Sequence, residues 1–287
     1  MQGTVDGFSY GLVTPLVAYL MACLGGALGL RCTTRAGLGP RSWRPGWLAL
    51  GAASIGAGVW TMHFIAMMGF TVEGTPIHYD RSMTFASLAV AVVMVGIGIF
   101  IVGYRGATGT ALFTGGTVTG LGMASMHYLG MAGMSLDGRI EYDTVAVAAS
   151  VVVAMAAASA ALWAAGRARG FLWSVGASLV MGLAVTGMHY TGMAAVEVHV
   201  HGTAEPATGE SAAALLGPMM VGPLAVLVLA GIVVIFDPLV VMGRPSAPSA
   251  ERLPGIPAHS PAQHSSVRSR LRARGPVEHR SRTPQRR

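Results

Sequence analysis

Apolar residues run almost unbroken through long stretches of this chain, and the polar segments between them are short. Runs near 8–30, 46–70, 82–103, 111–134, 144–165, 171–196 and 213–236 each reach the roughly 20 residues that a helix needs to cross the hydrocarbon core of a bilayer. The pattern predicts an all-α fold, a polytopic membrane helix bundle of seven transmembrane helices. Composition agrees: 53% of residues are hydrophobic, 11% are charged and the mean hydropathy is +0.58, whereas a soluble domain carries about 25% charge. Only Asp6 is charged ahead of the first run. Without the basic start of a cleaved signal, that run is expected to stay as a helix.

The arginines give an orientation. Loops after spans 1, 3 and 5 carry Arg31, Arg35, Arg41, Arg44, Arg105, Arg167 and Arg169 and no acid. The N-terminus and the alternate loops carry Asp6, Glu73, Asp80, Asp137, Glu141, Asp143, Glu197, Glu205 and Glu210 against Arg81 and Arg139. The positive-inside rule then sets the N-terminus outside and the C-terminus in the cytoplasm, as seven spans require. The expected location is a cell membrane, crossed several times.

After Asp237-Pro238 the composition turns to Pro, Ser, Ala and Arg, and ten of the nineteen basic residues lie beyond position 243. A segment of that kind cannot bury enough apolar surface to fold. The chain therefore divides into a membrane domain, 1–240, and a disordered basic tail, 241–287. The net charge of +7 resides mostly in the tail, which suits anionic lipid headgroups at the cytoplasmic leaflet; no nucleic-acid partner is expected. Cys23 and Cys32 are nine residues apart, about 13 Å along a helix, too far for a disulfide.

Chemistry enters through a repeat. "MHFIAM" from Met62, "MHYLGM" from Met126 and "MHYTGM" from Met188 put a titratable ring into three apolar runs, with histidines 64 and 62 residues apart. That interval is two helices and two loops, so the expected unit is a helix pair used three times. Gly56 and Gly58, Gly120 and Gly122, and Gly182 and Ala184 precede the histidines by seven and five residues, and small residues let membrane helices pack closely. Helices 2, 4 and 6 are thus expected to meet.

Each histidine falls seven residues inside the outer end of its apolar run, so all three lie at one depth, about 10 Å below the outer surface. The methionine four residues later shares its face, while the preceding methionine is turned about 100° away. A single membrane histidine ordinarily holds two helices together, and methionine ordinarily fills a core. Three copies with His and Met together suit a soft metal instead, since thioether sulfur selects Cu(I) and neutral imidazole suits copper. Phe64, Tyr128 and Tyr190 point away from their histidines, into helix contacts. His78, His199 and His201 read as residues of solvated outer loops, and Met68, Met123, Met134 and Met181 as packing. No paired carboxylates, Ser-His-Asp set or phosphate-cradling loop is present, so no enzymatic activity is expected.

The three M-H-[FY]-x-[AG]-M elements resemble the MHYT family of bacterial integral membrane sensors over about residues 8 to 240. That resemblance implies a copper site and the sensing of oxygen, carbon monoxide or nitric oxide. The ligand candidates it carries over are Met62, His63 and Met67; Met126, His127 and Met131; Met188, His189 and Met193. Relatives often continue into cyclic-di-GMP or histidine-kinase domains, whereas this sequence continues into the basic tail, so a signal is expected to pass to a partner protein. A haem or copper redox protein and a copper transporter or chaperone stay open as alternatives.

The orientation is checked by cysteine labelling at Thr75, Gly138 and Thr203: reagent outside the cell is expected to reach them, and labelling from the cytoplasm alone would reverse the assignment.

Overall fold

The computed structural model describes residues 5–6, 9–73, 75–167, 171–200 and 210–237. The expected tail, His201 and Thr203 lie outside the described residues. Among those described are seven long helices: α1 (Val13–Leu38), α2 (Arg44–Met68), α3 (Arg81–Arg105), α4 (Gly109–Ala132), α5 (Thr144–Arg167), α6 (Phe171–Met193) and α7 (Ala212–Ile235). Five of them, α1, α2, α3, α5 and α7, are long and apolar enough to cross a membrane. Helix α1 runs eight residues past its apolar stretch. Its hydroxyls there turn inward, with Thr33 donating to Gly29 O and Thr34 to Leu30 O, so they need no partner outside the helix.

The three motif helices stand inside. Helix α1 packs on α2 and α6, α3 between α2 and α4, α5 between α4 and α6, and α7 against α2 and α1. Glycines set the spacing. A methyl group added at Gly25 of α1 would lie 2.7 Å from the Gly58 Cα of α2, so the two backbones touch. The first glycine of each motif meets the next outer helix: Gly56 faces Val92 of α3, Gly120 faces Met155 of α5, and Gly182 faces Cys23 of α1, which closes the ring.

Short strands close the end of the bundle at which the motif helices finish. They are β1 (Val5–Asp6), β2 (Thr71–Val72), β3 (His78–Tyr79), β4 (Met134–Ser135), β5 (Gly138–Tyr142), β6 (Val196–Val200) and β7 (Glu210–Ser211). All are antiparallel: β1 pairs with β2, β3 lies between β4 and β7, and β5 pairs with β6. Apart from β1, every strand comes from a connection that follows a motif helix. Phe70, Val72, Tyr79, Met134, Leu136 and Val198 drop from this lid into the same buried cluster as the helices. Burial in the lid raises the Tyr79 phenol above its ordinary pKa, so it stays neutral. The sequence reading took these connections for loops; alternating Val196, Val198 and Val200 are what pair them. Thr75 is buried beneath Asp137, whose backbone N–H it accepts at 2.9 Å, and a Cβ at Gly138 would lie 2.5 Å from His199 O, so the exposed Arg139 next to it is the usable labelling position.

At the opposite end the Arg35 guanidinium of α1 holds Asp237, the residue that follows α7, with side-chain exposures of 18% and 2%. Arg35 also lies over the Trp47 ring at 5.5 Å. Breaking a buried pair from one side strands a charge and costs about 3 kcal/mol or more, whereas replacing both partners with apolar groups costs far less. Asp237→Ala is therefore expected to lower the thermal transition by several degrees, and Arg35→Met with Asp237→Leu to recover most of the loss; helix circular dichroism during heating measures both.

Candidate metal centre

Helices α2, α4 and α6 end at Met68, Ala132 and Met193, which leaves His63, His127 and His189 five, five and four residues from their ends. The expected depth was seven residues. The helices stop sooner because Gly69 and Gly133 take the C-terminal turns and Ala194 and Ala195 begin the descent into β6.

The three rings converge, each side chain 1% exposed. Their centroids are 5.0, 5.1 and 5.1 Å apart, with the planes 75–90° to one another. The Nδ1 atoms form a triangle: 3.1 Å from His63 to His189, 3.2 Å from His127 to His63 and 3.3 Å from His189 to His127. Sequence spacing had brought these residues to one level; only the fold could show the same nitrogen of each ring aimed at one point.

The motif explains the aim. A methyl group added at Gly130 would stand 2.6 Å from Nε2 of His63, and one at Gly192 would stand 2.5 Å from Nε2 of His127. The residue three after one histidine is thus the floor under another repeat's ring, and it must be small. The third such position holds Ala66, which is buried. Each ring is also braced edge-on by the aromatic residue that follows it, Phe64 at 4.6 Å, Tyr128 at 4.8 Å and Tyr190 at 5.0 Å. Trp60 stacks on Phe64 at 4.6 Å and donates its indole N–H to Ser87 Oγ on α3 at 3.1 Å, while the Tyr128 hydroxyl meets Ser150 Oγ of α5 at 2.7 Å. The aromatics make helix contacts, as expected.

Such a triangle is poorly served by protons. An imidazole Nδ1 has one in-plane position, which holds either a hydrogen or a lone pair. With three of these facing one another, a single hydrogen leaves at least two lone pairs opposed, and a second hydrogen opposes two N–H groups. A cation at the centre takes all three lone pairs. Tetrahedral coordination at about 2.0–2.1 Å places ligand nitrogens about 3.3–3.4 Å apart, against 3.1–3.3 Å here. The donor set and its spacing fit a metal ion, and among the described residues these three form the one cluster of three or more His, Cys, Asp or Glu suited to one. The usual outer support is missing, since Nε2 of His63 and of His127 is buried without a hydrogen-bond partner, whereas ligating imidazoles normally donate that N–H.

The methionines lie in the same buried cluster. Met62, Met126, Met188, Met67 and Met131 are at most 2% exposed, and Met193 is half-buried against them. Four residues below the histidines come Val59, Met123 and Val185, and eight below come Ile55, Thr119 and Met181, all buried. Thr119 is the one polar side chain among these six. His199 lies elsewhere, in the lid, its Nε2 3.8 Å from Glu141. Sequence reasoning missed the hydroxyls of Thr61 and Thr186, buried beside the motif histidines in sequence and without hydrogen-bond partners, and Tyr79, whose ring meets Phe64 at 6.1 Å. A small polar residue two or three before each histidine was the available signal for the threonines; Tyr79 gave none.

Comparison with known proteins places these features. A family profile described as a bacterial signalling protein N-terminal repeat, MHYT, matches residues 56–115 and 120–178, which contain His63 and His127; His189 lies beyond them. The bifunctional diguanylate cyclase/cyclic di-GMP phosphodiesterase MucR of Pseudomonas aeruginosa is 36% identical over 194 residues, 66% of this chain and 28% of that protein. The cyclic di-GMP phosphodiesterase NbdA of the same organism is 32% identical over 213 residues, 69% of this chain and 27% of its own length. The signalling protein YkoW of Bacillus subtilis is 29% identical over 198 residues, 67% and 24% respectively. This chain thus spans less than a third of these relatives. No solved structure matches. The repeated element, found by the profile in two successive helix pairs and shared with these signalling proteins, is what classifies the sequence: the chain belongs to the MHYT family.

Proposed function

We propose that this protein is a membrane sensor module in which His63, His127 and His189 hold one copper ion near the outer membrane face and report a diatomic gas (oxygen, carbon monoxide or nitric oxide) or the redox state. The observation that carries the reading is the Nδ1 triangle of 3.1–3.3 Å, closed to water by the lid. Met67, Met131 and Met193, with Met62, Met126 and Met188 beside them, supply the thioethers that favour Cu(I). Copper in such a site offers a position for a diatomic ligand and a one-electron couple. The residues hold the ion, exclude water and link its coordination to three helices at once. A shift of any one ring moves α2, α4 or α6 against its neighbours, and the two-state element that a sensor needs is this helix packing.

In this reading all seven helices cross the bacterial inner membrane, the helix pair recurs three times, and the cytoplasmic tail meets a signalling partner. The chain itself acts without catalysis, as the relatives match it over the MHYT region and not over their catalytic parts. Nitrogens 3.1–3.3 Å apart leave no space for a porphyrin among them, which disfavours the haem alternative. Transport would need polar sites at further depths.

Metal analysis of the purified protein tests the assignment. About one copper per chain is expected, falling at least tenfold when any one of the three histidines becomes Ala and unchanged in His199→Ala. Occupancy should also fall on acidification, since ligating imidazoles must be neutral. Unaltered copper in the triple His→Ala protein would return the histidines to helix packing.

A further inference from the structure

Two adjoining spaces lie between the triad and the end of the bundle opposite the lid. One is a vestibule of about 290 Å³ at that end, whose wall includes Thr34, Arg44 and Gly103. The other is a chamber of about 20 Å³ further in, lined from six helices by Leu30 of α1, Ile55 of α2, Val95 of α3, Met123 of α4, Ala158 of α5 and Met181 of α6, with others. Thr33, Ile99, Leu162 and Ala165 line both spaces, so one leads into the other. Met123 stands four residues before His127, which brings the chamber wall to within one turn, about 6 Å, of the triad.

The two spaces select by charge and by size. Arg44 is the one charged residue lining the vestibule; its guanidinium donates to Gly103 O and lies over the Tyr104 ring at 5.1 Å. A cation entering there meets a like charge and no carboxylate. Beyond it the chamber is apolar apart from Thr33 and Thr119, so an ion would shed its hydration without replacement. A space of about 20 Å³ admits one water-sized molecule, but a buried water ordinarily makes about three hydrogen bonds. Thr33 spends its hydrogen on Gly29 O and Leu30 O within α1, which leaves Thr119, 3% exposed and without a hydrogen-bond partner, as the one free donor. A neutral molecule of two atoms is little wider than water, asks for at most one hydrogen bond and loses nothing against an apolar wall. We propose that this chamber holds one molecule of a neutral diatomic gas, and that, on the reading of the triad as a gas-responsive metal centre, it keeps the ligand one turn below the metal.

Dissolved oxygen is the probe, because its unpaired electrons speed the relaxation of methyl groups that it approaches. The full chain, free of metal and carrying carbon-13 methionine methyls, is held in lipid nanodiscs under oxygen pressure. Met123 and Met181 are expected to show roughly threefold or more the enhancement of Met62 and Met126, although all of these side chains are at most 4% exposed. Ala165→Leu, which fills the chamber from its wall, should bring Met123 down to the level of Met62, and Ile99→Ala, which enlarges it, should raise Met123 further. Unmoved Met62 and Met126 resonances show that the fold is kept. Equal enhancement at these methyls in the wild type, no response to either substitution, or a water cross-peak at the Thr119 methyl would each overturn the proposal. With no metal in the sample, such a failure leaves the copper assignment standing, and a failure of the copper analysis leaves the oxygen result standing.

Discussion

Three imidazoles cannot be brought together in an apolar layer unless the helices that carry them come within side-chain reach, and nearly every unusual residue choice in this chain serves that approach. Burying an unpaired polar ring is costly, so the rings must face either one another or a common ligand. They do so through Nδ1, at 3.1–3.3 Å, because the opposite edges of His63 and His127 lie against Gly130 and Gly192. The small residue in the motif is therefore a floor, the aromatic a brace, and the glycines one and two turns earlier the means by which outer helices close round the inner three.

Around that layer the protein keeps water out by two different means. Below the triad valine, isoleucine and methionine side chains of α2, α4 and α6 line the axis, with Thr119 the one hydroxyl among them. Above it, where helices end, backbone polar groups would otherwise meet the core. Short antiparallel pairs satisfy them and let Phe70, Tyr79 and Met134 seal that end. At the opposite end the ion pair between Arg35 and Asp237 ties α7, which lies outside the ring of six, to α1.

Much of this was legible in the sequence, for identifiable reasons. Bilayer thickness fixes span length, so the apolar runs gave all seven helices to within a few residues at most ends; α1 overran because Thr33 and Thr34 satisfy themselves. The helical period and the 64- and 62-residue intervals gave the common level of His63, His127 and His189. What periodicity could not carry was ring orientation, which depends on contacts between repeats, such as Gly130 with His63. The lid was also missed, since strands as short as β2 and β3 are specified by their partners and not by their own two residues.

The central claim is that one metal ion is held by three Nδ1 atoms, and X-ray absorption at the copper edge of the loaded, membrane-reconstituted protein tests it most directly. The predicted spectrum has about three nitrogen scatterers near 2.0 Å, the range for imidazole ligands, with the outer-shell pattern of imidazole rings and any thioether sulfur at longer distance. Replacing His63 with Ala should remove a nitrogen and weaken that pattern. A first shell of oxygen or of sulfur alone, or one unchanged in the His63→Ala protein, would contradict the account.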